Sequence, residues 1–163
     1  MKSILFIAPS EQVAVRAETV IARRNMSDVE VKLGSFEKAR KIVAEAIGLG
    51  TKIVVSRGGT ASDLRKIFDI PIIDVKFSSG CYIEAFEKIR NVRGKIAFFS
   101  VEEIQDTVKT LCYILNVETS WYRFNNEESA EKAVRLAIDE GNVLGVGGAV
   151  TGKCASRQGL EYI

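Results

Sequence analysis

The sequence predicts an α/β fold of two Rossmann-like halves, each with a parallel sheet, related by pseudo-symmetry. Short apolar runs alternate with longer stretches of helical periodicity along the 163 residues. Strands that alternate with helices favour parallel pairing through right-handed crossovers. In addition, a strand, two adjacent glycines and a threonine occur twice, and the threonines, Thr60 and Thr151, lie 91 residues apart.

The first half is predicted to hold four strands joined by helices. Apolar or alternating runs place the strands at Ile4–Ala8, Val29–Leu33, Lys52–Val55 and Ile70–Val75. Helical spacing predicts helices at about 11–24, 36–48 and 60–68, the first with an apolar face of Val13, Ala17, Val20 and Ile21. Ser35 is a capping residue for the second helix, and Pro71 indicates an edge or a starting position for the fourth strand.

The second half repeats this plan. Strands are predicted at Lys95–Phe99, Val117–Phe124, Val143–Val146 and Leu160–Ile163, with helices at about 103–115, at 127–139 and from near Thr151. Asn125 and Glu128 have capping-box spacing. We therefore expect a first half over residues 1–77, a connecting helix within 78–94 and a second half over 95–163.

Composition excludes several functions. The net charge is only +2 and no block of like charge occurs, so direct binding of nucleic acid by this segment is not expected. The chain has no histidine, and Cys81, Cys112 and Cys154 lack metal-ligand spacing, so we expect free thiols, no metal and no other cofactor. Without a signal peptide or an apolar run of about 20 residues, a cytoplasmic protein with no membrane segment is expected.

The turn Ser56-Arg57-Gly58-Gly59-Thr60 is the main candidate site. It joins the carboxyl end of a predicted strand to the start of a helix, the edge at which open α/β sheets bind ligands. Free N–H groups and the helix dipole favour an anion there, and Arg57 would add a bidentate contact. The alternative is a helix start satisfied by a Thr60–Asp63 capping box, with Arg57 solvated.

Two further turns accompany it. Gly147-Gly148-Ala149-Val150-Thr151 is the counterpart in the second half, followed by Lys153, and Ser78-Ser79-Gly80-Cys81-Tyr82 follows the fourth strand. Each has the alternative of being a plain helix start. Neither the Rossmann G-x-G-x-x-G pattern nor the P-loop pattern occurs in the chain.

Taken in order, these segments resemble the N-terminal sensory (PrpR-type) domain of propionate catabolism activators, which are sigma-N-dependent transcriptional regulators. The residues that carry the resemblance are Ile53-Val54-Val55-Ser56-Arg57-Gly58-Gly59-Thr60-Ala61, Asp69-Ile70-Pro71-Ile72-Ile73-Asp74-Val75, Ser79-Gly80, Ile4-Leu5-Phe6-Ile7-Ala8-Pro9 and Val146-Gly147-Gly148-Ala149-Val150-Thr151.

The resemblance implies an effector-sensing receptor with no enzymatic activity. A small anionic effector, such as a 2-methylcitrate-like carboxylate, would bind in a cleft between the halves. An ATPase module and a DNA-binding module would belong to the same regulator, and a homo-oligomer is left open. By position, the ligand-binding candidates are Ser56, Arg57, Gly58, Gly59, Thr60, Ser79, Gly80, Gly148 and Thr151.

The sequence also departs from the family. A final helix that packs on the first half is expected in the family, whereas this sequence stops at Ile163, and the pair Cys81-Tyr82 differs from a Gly-Tyr-Asp-like run. Both departures bear on the identity of the effector more than on the fold.

Two other functions stay open at this point. The first is a small-molecule enzyme, such as a racemase with one cysteine thiolate on each face of the substrate. Cys81 and Cys154 are 73 residues apart rather than 91, which disfavours it. The second is a nucleotide-binding or structural interaction domain, for which Trp121 and Tyr122 would supply a partner surface.

Overall fold

Two four-stranded sheets carry the chain, and all the strand pairs described in them are parallel. The computed structural model describes residues 2–76 and 79–163, without the side chains of 79–81. The chain divides into two compact units, one that ends at Lys76 and one that follows it, and each unit contains one sheet. The predicted α/β class with two Rossmann-like parallel sheets is therefore confirmed.

The first unit alternates strands and helices throughout. Its elements are β1 (Ile4–Ala8), α1 (Glu11–Arg23), β2 (Val29–Leu33), α2 (Phe36–Gly48), β3 (Ile53–Ser56), α3 (Gly58–Arg65) and β4 (Ile72–Asp74). The sheet has the order β2-β1-β3-β4. After β1 the chain adds β2 on one side and then β3 and β4 on the other side, so the strand order reverses between β1 and β3. Ligands of open α/β sheets bind outside such a point.

The second unit has the same strand order, β6-β5-β7-β8. Its elements are α4 (Ser79–Ile89), β5 (Lys95–Ser100), α5 (Asp106–Ile114), β6 (Thr119–Arg123), α6 (Glu127–Asp139), β7 (Asn142–Val146), α7 (Ala149–Gln158) and β8 (Glu161–Tyr162). The helix predicted as a connection, α4, supplies Phe86 and Ile89 to the core of this unit. No helix in the described ranges has the length and apolar character needed to cross a membrane.

Several helix starts differ from the predicted ones. Helices α3 and α7 begin at Gly58 and Ala149, two residues earlier than expected, because the extended capping residues are Arg57, directly after β3, and Gly148, two residues after β7. The capping box of α6 is Asn126 with Ser129, one residue later than the predicted Asn125 and Glu128. In α1 no residue is buried, and Val20 is 54% exposed, so its predicted apolar face is only partly covered.

Each unit has its own hydrophobic core between sheet and helices. The first core consists of Leu5, Ile7, Ala39, Val43, Val54, Leu64 and Ile72. The second consists of Phe86, Ile89, Ile96, Phe98, Val108, Cys112 and Leu144. Burial of such side chains is the main favourable term for each unit.

Backbone conformation supports the equivalence of the two units. Asn25 and Asn116, 91 residues apart, each have a φ of 52°. Gly50 and Gly141, also 91 apart, have φ values of 100° and 78°. Left-handed residues are uncommon outside glycine, asparagine and aspartate, so their recurrence at one spacing reflects a shared chain path.

An ion pair joins the last two helices of each half of the fold. In the first unit the Arg40 guanidinium binds Asp63 through Nε and Nη2, at 2.8 and 2.6 Å. In the second unit Arg157 Nη1 lies 3.2 Å from Glu131 Oε1. Arg40 and Glu131 are 91 residues apart, so equivalent positions carry opposite charges.

Because the cores are separate, a cavity in one unit should loosen that unit first. Val43→Ala is expected to lower its stability by roughly 2 kcal/mol, and Leu144→Ala by about 2–5 kcal/mol. Native-state hydrogen exchange should show the loss of protection in residues before 77 for Val43→Ala and after 78 for Leu144→Ala. The control Leu136→Ala, at a 49% exposed position, should change little. Equal loss of protection in both units would show one cooperative unit instead.

Candidate functional site

Ser56 ties the two central strands of the first sheet together at their carboxyl ends. Its side chain is fully buried, and its hydroxyl donates a hydrogen bond of 2.9 Å to the carbonyl of Ile7 on β1. This bond lies beside the point where the strand order reverses. Ser56 therefore fixes the backbone beneath the predicted site. Its hydroxyl proton is donated to the Ile7 carbonyl and is not available to a ligand.

Gly58 begins α3 in a conformation that suits glycine. Its φ is +56°, and a Cβ there would meet nothing within 4 Å, so backbone conformation rather than space selects glycine. Its N–H donates a hydrogen bond of 3.1 Å to Oδ1 of Asp74, at the end of β4. The first N–H of the predicted anion site is thus already bound to a carboxylate of the protein.

Positive charge surrounds that carboxylate. The Asp74 side chain is only 4% exposed, and its Oδ2 lies 2.7 Å from Lys76 Nζ and 3.9 Å from Arg65 Nη1. Arg57, the half-buried capping residue of α3, directly precedes Gly58. Lys76 and Arg65 therefore compensate the buried charge of Asp74.

The structure contradicts the capping-box alternative for this turn. The capping residue of α3 is Arg57, whose side chain makes no capping hydrogen bond, and Thr60 lies inside the first helical turn and is 2% exposed. The Asp63 carboxylate binds Arg40 instead. In a capping box the Asp63 side chain would reach back to the helix start. Here Arg40 of α2 binds it instead.

The segment after β4 is described only in part. Ser78 lies outside the described residues. Ser79 and Gly80 begin α4, and the side chain of Ser79 is also outside the description. The same holds for the side chain of Cys81. A role for Ser79 and Gly80 in ligand binding stays a prediction.

The second glycine turn is closed by a side chain of its own unit. Thr151 is fully buried, and its hydroxyl lies 3.2 Å from the carbonyl of Gly148, the capping residue of α7. The hydroxyl of Tyr162, on β8, is hydrogen-bonded to the Thr151 hydroxyl and donates to the Gly148 carbonyl at 3.0 Å. Lys153, which follows on α7, is exposed.

Three glycines make room for the Tyr162 ring. A Cβ on Gly145 would lie 2.6 Å from a ring carbon of Tyr162, and one on Gly147 would lie 2.5 Å from its hydroxyl oxygen. A Cβ on Gly152 would lie 3.1 Å from the ring. Sequence reasoning placed Gly147 in a ligand-binding turn and missed the tyrosine. The available signal was the i, i+2 spacing of Gly145, on β7, and Gly147, directly after it, because residues two apart lie on one side of an extended chain.

Comparison with known protein families shows to which family this chain is related. A family profile described as "Propionate catabolism activator" matches residues 24–163. The chain belongs to this family. It is therefore a sensory domain of the kind that transcriptional regulators carry, as the resemblance implied.

Solved structures extend the comparison to the fold. An NtrC family transcriptional regulator from Clostridium acetobutylicum is similar with a TM-score of 0.82 and 21% identity, over 99% of this chain and 85% of that one. Two similarities are weaker. A putative LacI-family repressor from Corynebacterium glutamicum gives 0.47 and 12%, over 96% and 72% of the two chains, and CcpA of Lactococcus lactis gives 0.45 and 13%, over 99% and 75%. A comparison with curated proteins found no match.

The two described thiols of this propionate-activator family member are unsuited to act as bases. Cys112 and Cys154 are free and buried. Burial raises the pKa of Cys112 to about 11. Burial, followed by the charge of Glu131, also raises the pKa of Cys154. A reactive cysteine needs a lowered pKa, so this environment disfavours racemase chemistry at Cys154.

Replacing Gly145 should be far more damaging than replacing an unconstrained glycine. Gly145→Ala forces a methyl group against the Tyr162 ring, and overpacking of this kind costs about 1–3 kcal/mol. The matched control is Gly48→Ala, at a helix position with nothing within 4 Å. It should be neutral or stabilising by up to about 1 kcal/mol. Urea unfolding of both variants checks this, and equal stabilities would contradict the packing of Tyr162 on Gly145.

Tyr162 should give the protein an alkaline limit. Burial raises the pKa of its hydroxyl above the ordinary value of about 10. Above pH 10 the unfolded chain therefore binds fewer protons than the folded one, and the free energy of unfolding falls as pH rises. Urea unfolding between pH 9 and about 11 should show a shallower decline for Tyr162→Phe than for the wild type. Tyr113→Phe, at an 86% exposed residue, should keep the wild-type slope.

Proposed function

We propose that the chain is the cytoplasmic effector-sensing domain of a bacterial sigma-N-dependent regulator and binds a small anionic metabolite. Family membership over residues 24–163 is the observation that carries the proposal. A 2-methylcitrate-like carboxylate is the first candidate for the effector. The ATPase and DNA-binding modules of such a regulator are its proposed partners.

The electrostatics of the first turn support an anionic effector. Arg57 directly precedes the first residue of α3, where the helix dipole adds positive potential, and Arg65 and Lys76 lie against Asp74. An anion approaching Gly59 and Thr60 would meet Asp74 as a neighbour of like sign. A ligand with several carboxylates can pair with more than one of these basic side chains, which favours a di- or tricarboxylate over a weakly charged metabolite.

The two glycine turns would play different parts. In the first turn, Arg57, Gly58, Gly59 and Thr60 would contact the effector, with Ser56 beneath them. In the second, the Thr151 hydroxyl is occupied by Tyr162 and Gly148, so Gly148 and Thr151 would contribute through backbone groups at the start of α7. Ser79 and Gly80 complete the proposed set, and binding between the two halves stays a prediction from the resemblance.

A thermal-shift screen of di- and tricarboxylates tests the proposal. An effector present at 100 times its dissociation constant should stabilise the protein by about 2.7 kcal/mol. Arg57→Ala should weaken the binding about 10- to 100-fold, because a charge-assisted contact is lost. The control Arg16→Ala removes an exposed arginine of α1 in the same unit and should leave the shift intact.

Two results would contradict the proposal. If no organic acid of the screen shifts the unfolding temperature, the proposal of an anionic effector is wrong. A shift that is unchanged in Arg57→Ala would place the effector elsewhere in the chain.

A further inference from the structure

A cavity of about 230 Å³ lies in the second unit, and no residue of a glycine turn is part of its lining. It is lined by Glu103, Ile104, Lys109, Trp121, Tyr122 and Arg123. The lining comes from the end of β6, the start of α5 and the loop before α5. This is the carboxyl edge of the sheet, where loops of α/β proteins form binding sites.

Trp121 supplies an aromatic wall. It is the only tryptophan of the chain, lies on the edge strand β6 and is 36% exposed. Its ring packs on Phe98 with centroids 4.8 Å apart and an angle of 31°. Phe98 is 6% exposed and belongs to the core, so one side of the indole packs on a fixed core residue. A partly exposed, immobilised indole is suited to stacking against a planar ring.

Two cations accompany the indole. Lys109 Nζ is held at 3.3 Å from Asp106 Oδ1 and at 3.9 Å from Glu103 Oε1. No ion pair within residues 2–76 and 79–163 involves Arg123, although this side chain lines the cavity. A guanidinium in this position can bind a carboxylate through two hydrogen bonds.

The first unit shows that the fold does not require these residues. Ile7 and Phe98 are equivalent positions, 91 residues apart. In the sheets Ile7 pairs with Lys32 and Phe98 pairs with Trp121, so Lys32 is the equivalent of Trp121 in the first unit. The same register places Gly34 where the second unit has Arg123. Tryptophan and arginine at these two places are therefore a property of the second unit, and packing common to both units does not explain them.

We propose that this cavity binds a planar aromatic carboxylate. The ring stacks on Trp121, and the carboxylate binds Arg123. A volume of about 230 Å³ limits the ligand to a single ring with short substituents. The site lies within one unit and does not depend on the effector proposed for the glycine turns.

Tryptophan fluorescence tests the proposal directly, because Trp121 is the only indole. Benzoate is the probe, with cyclohexanecarboxylate as an anion without a planar π face and benzamide as a neutral planar ring. Saturable quenching is expected with benzoate and only weak quenching with the other two. Arg123→Gln should weaken benzoate binding about tenfold. Arg135→Gln removes an exposed arginine of α6 in the same unit and should leave binding unchanged.

A second measurement separates binding from a change in fluorescence alone. Saturation-transfer NMR should show benzoate signals with the wild type and with Trp121→Phe, which keeps a ring, and lose them with Trp121→Lys, which copies the first unit. Circular dichroism establishes that each variant is folded. No saturable binding, equal binding of benzoate and cyclohexanecarboxylate, or unchanged binding in Arg123→Gln would each overturn the proposal. None of these results depends on whether di- or tricarboxylates shift the thermal unfolding of the wild type.

Discussion

Parallel pairing of β3 with β1, and of β7 with β5, determines where each helix-starting turn can lie. Parallel strands run in one direction, so the turns that follow them meet at one edge of the sheet. The hydrogen bond from Ser56 to the Ile7 carbonyl joins two strand ends at that edge. Residue 57 onward can then turn directly into α3, with its first N–H groups at the point where the strand order reverses.

The two units share this geometry but differ in the side chain that contacts the turn. In both, the strand after the turn supplies a side chain that reaches back to it. Asp74 gives the first turn a hydrogen-bond acceptor and a charge surrounded by cations. Tyr162 gives the second turn an aromatic ring that fills the space left by three glycines. The same fold therefore has one turn with a charged partner and one turn held by aromatic packing.

Periodicity and spacing predicted most of the architecture, because they depend on neighbours within a few residues. The bounds of β1, β2, α2 and α6, the matching turns and the family were all available from the sequence. The hydrogen bond from Gly58 to Asp74 and the one between Thr151 and Tyr162 were not, because each joins residues 11 or more positions apart across a helix. The α6 cap was displaced by one residue because adjacent asparagines at 125 and 126 offer the same signal.

The opposite charges of Arg40 and Glu131 bear on how a chain with two similar halves avoids assembling incorrectly. Each arginine pairs with a carboxylate of its own unit. If α6 replaced α2 against α3, Glu131 would face Asp63, and if α2 replaced α6 against α7, Arg40 would face Arg157. Both exchanges bring like charges together, so the surface electrostatics penalise swapped halves while the native pairing stays favourable.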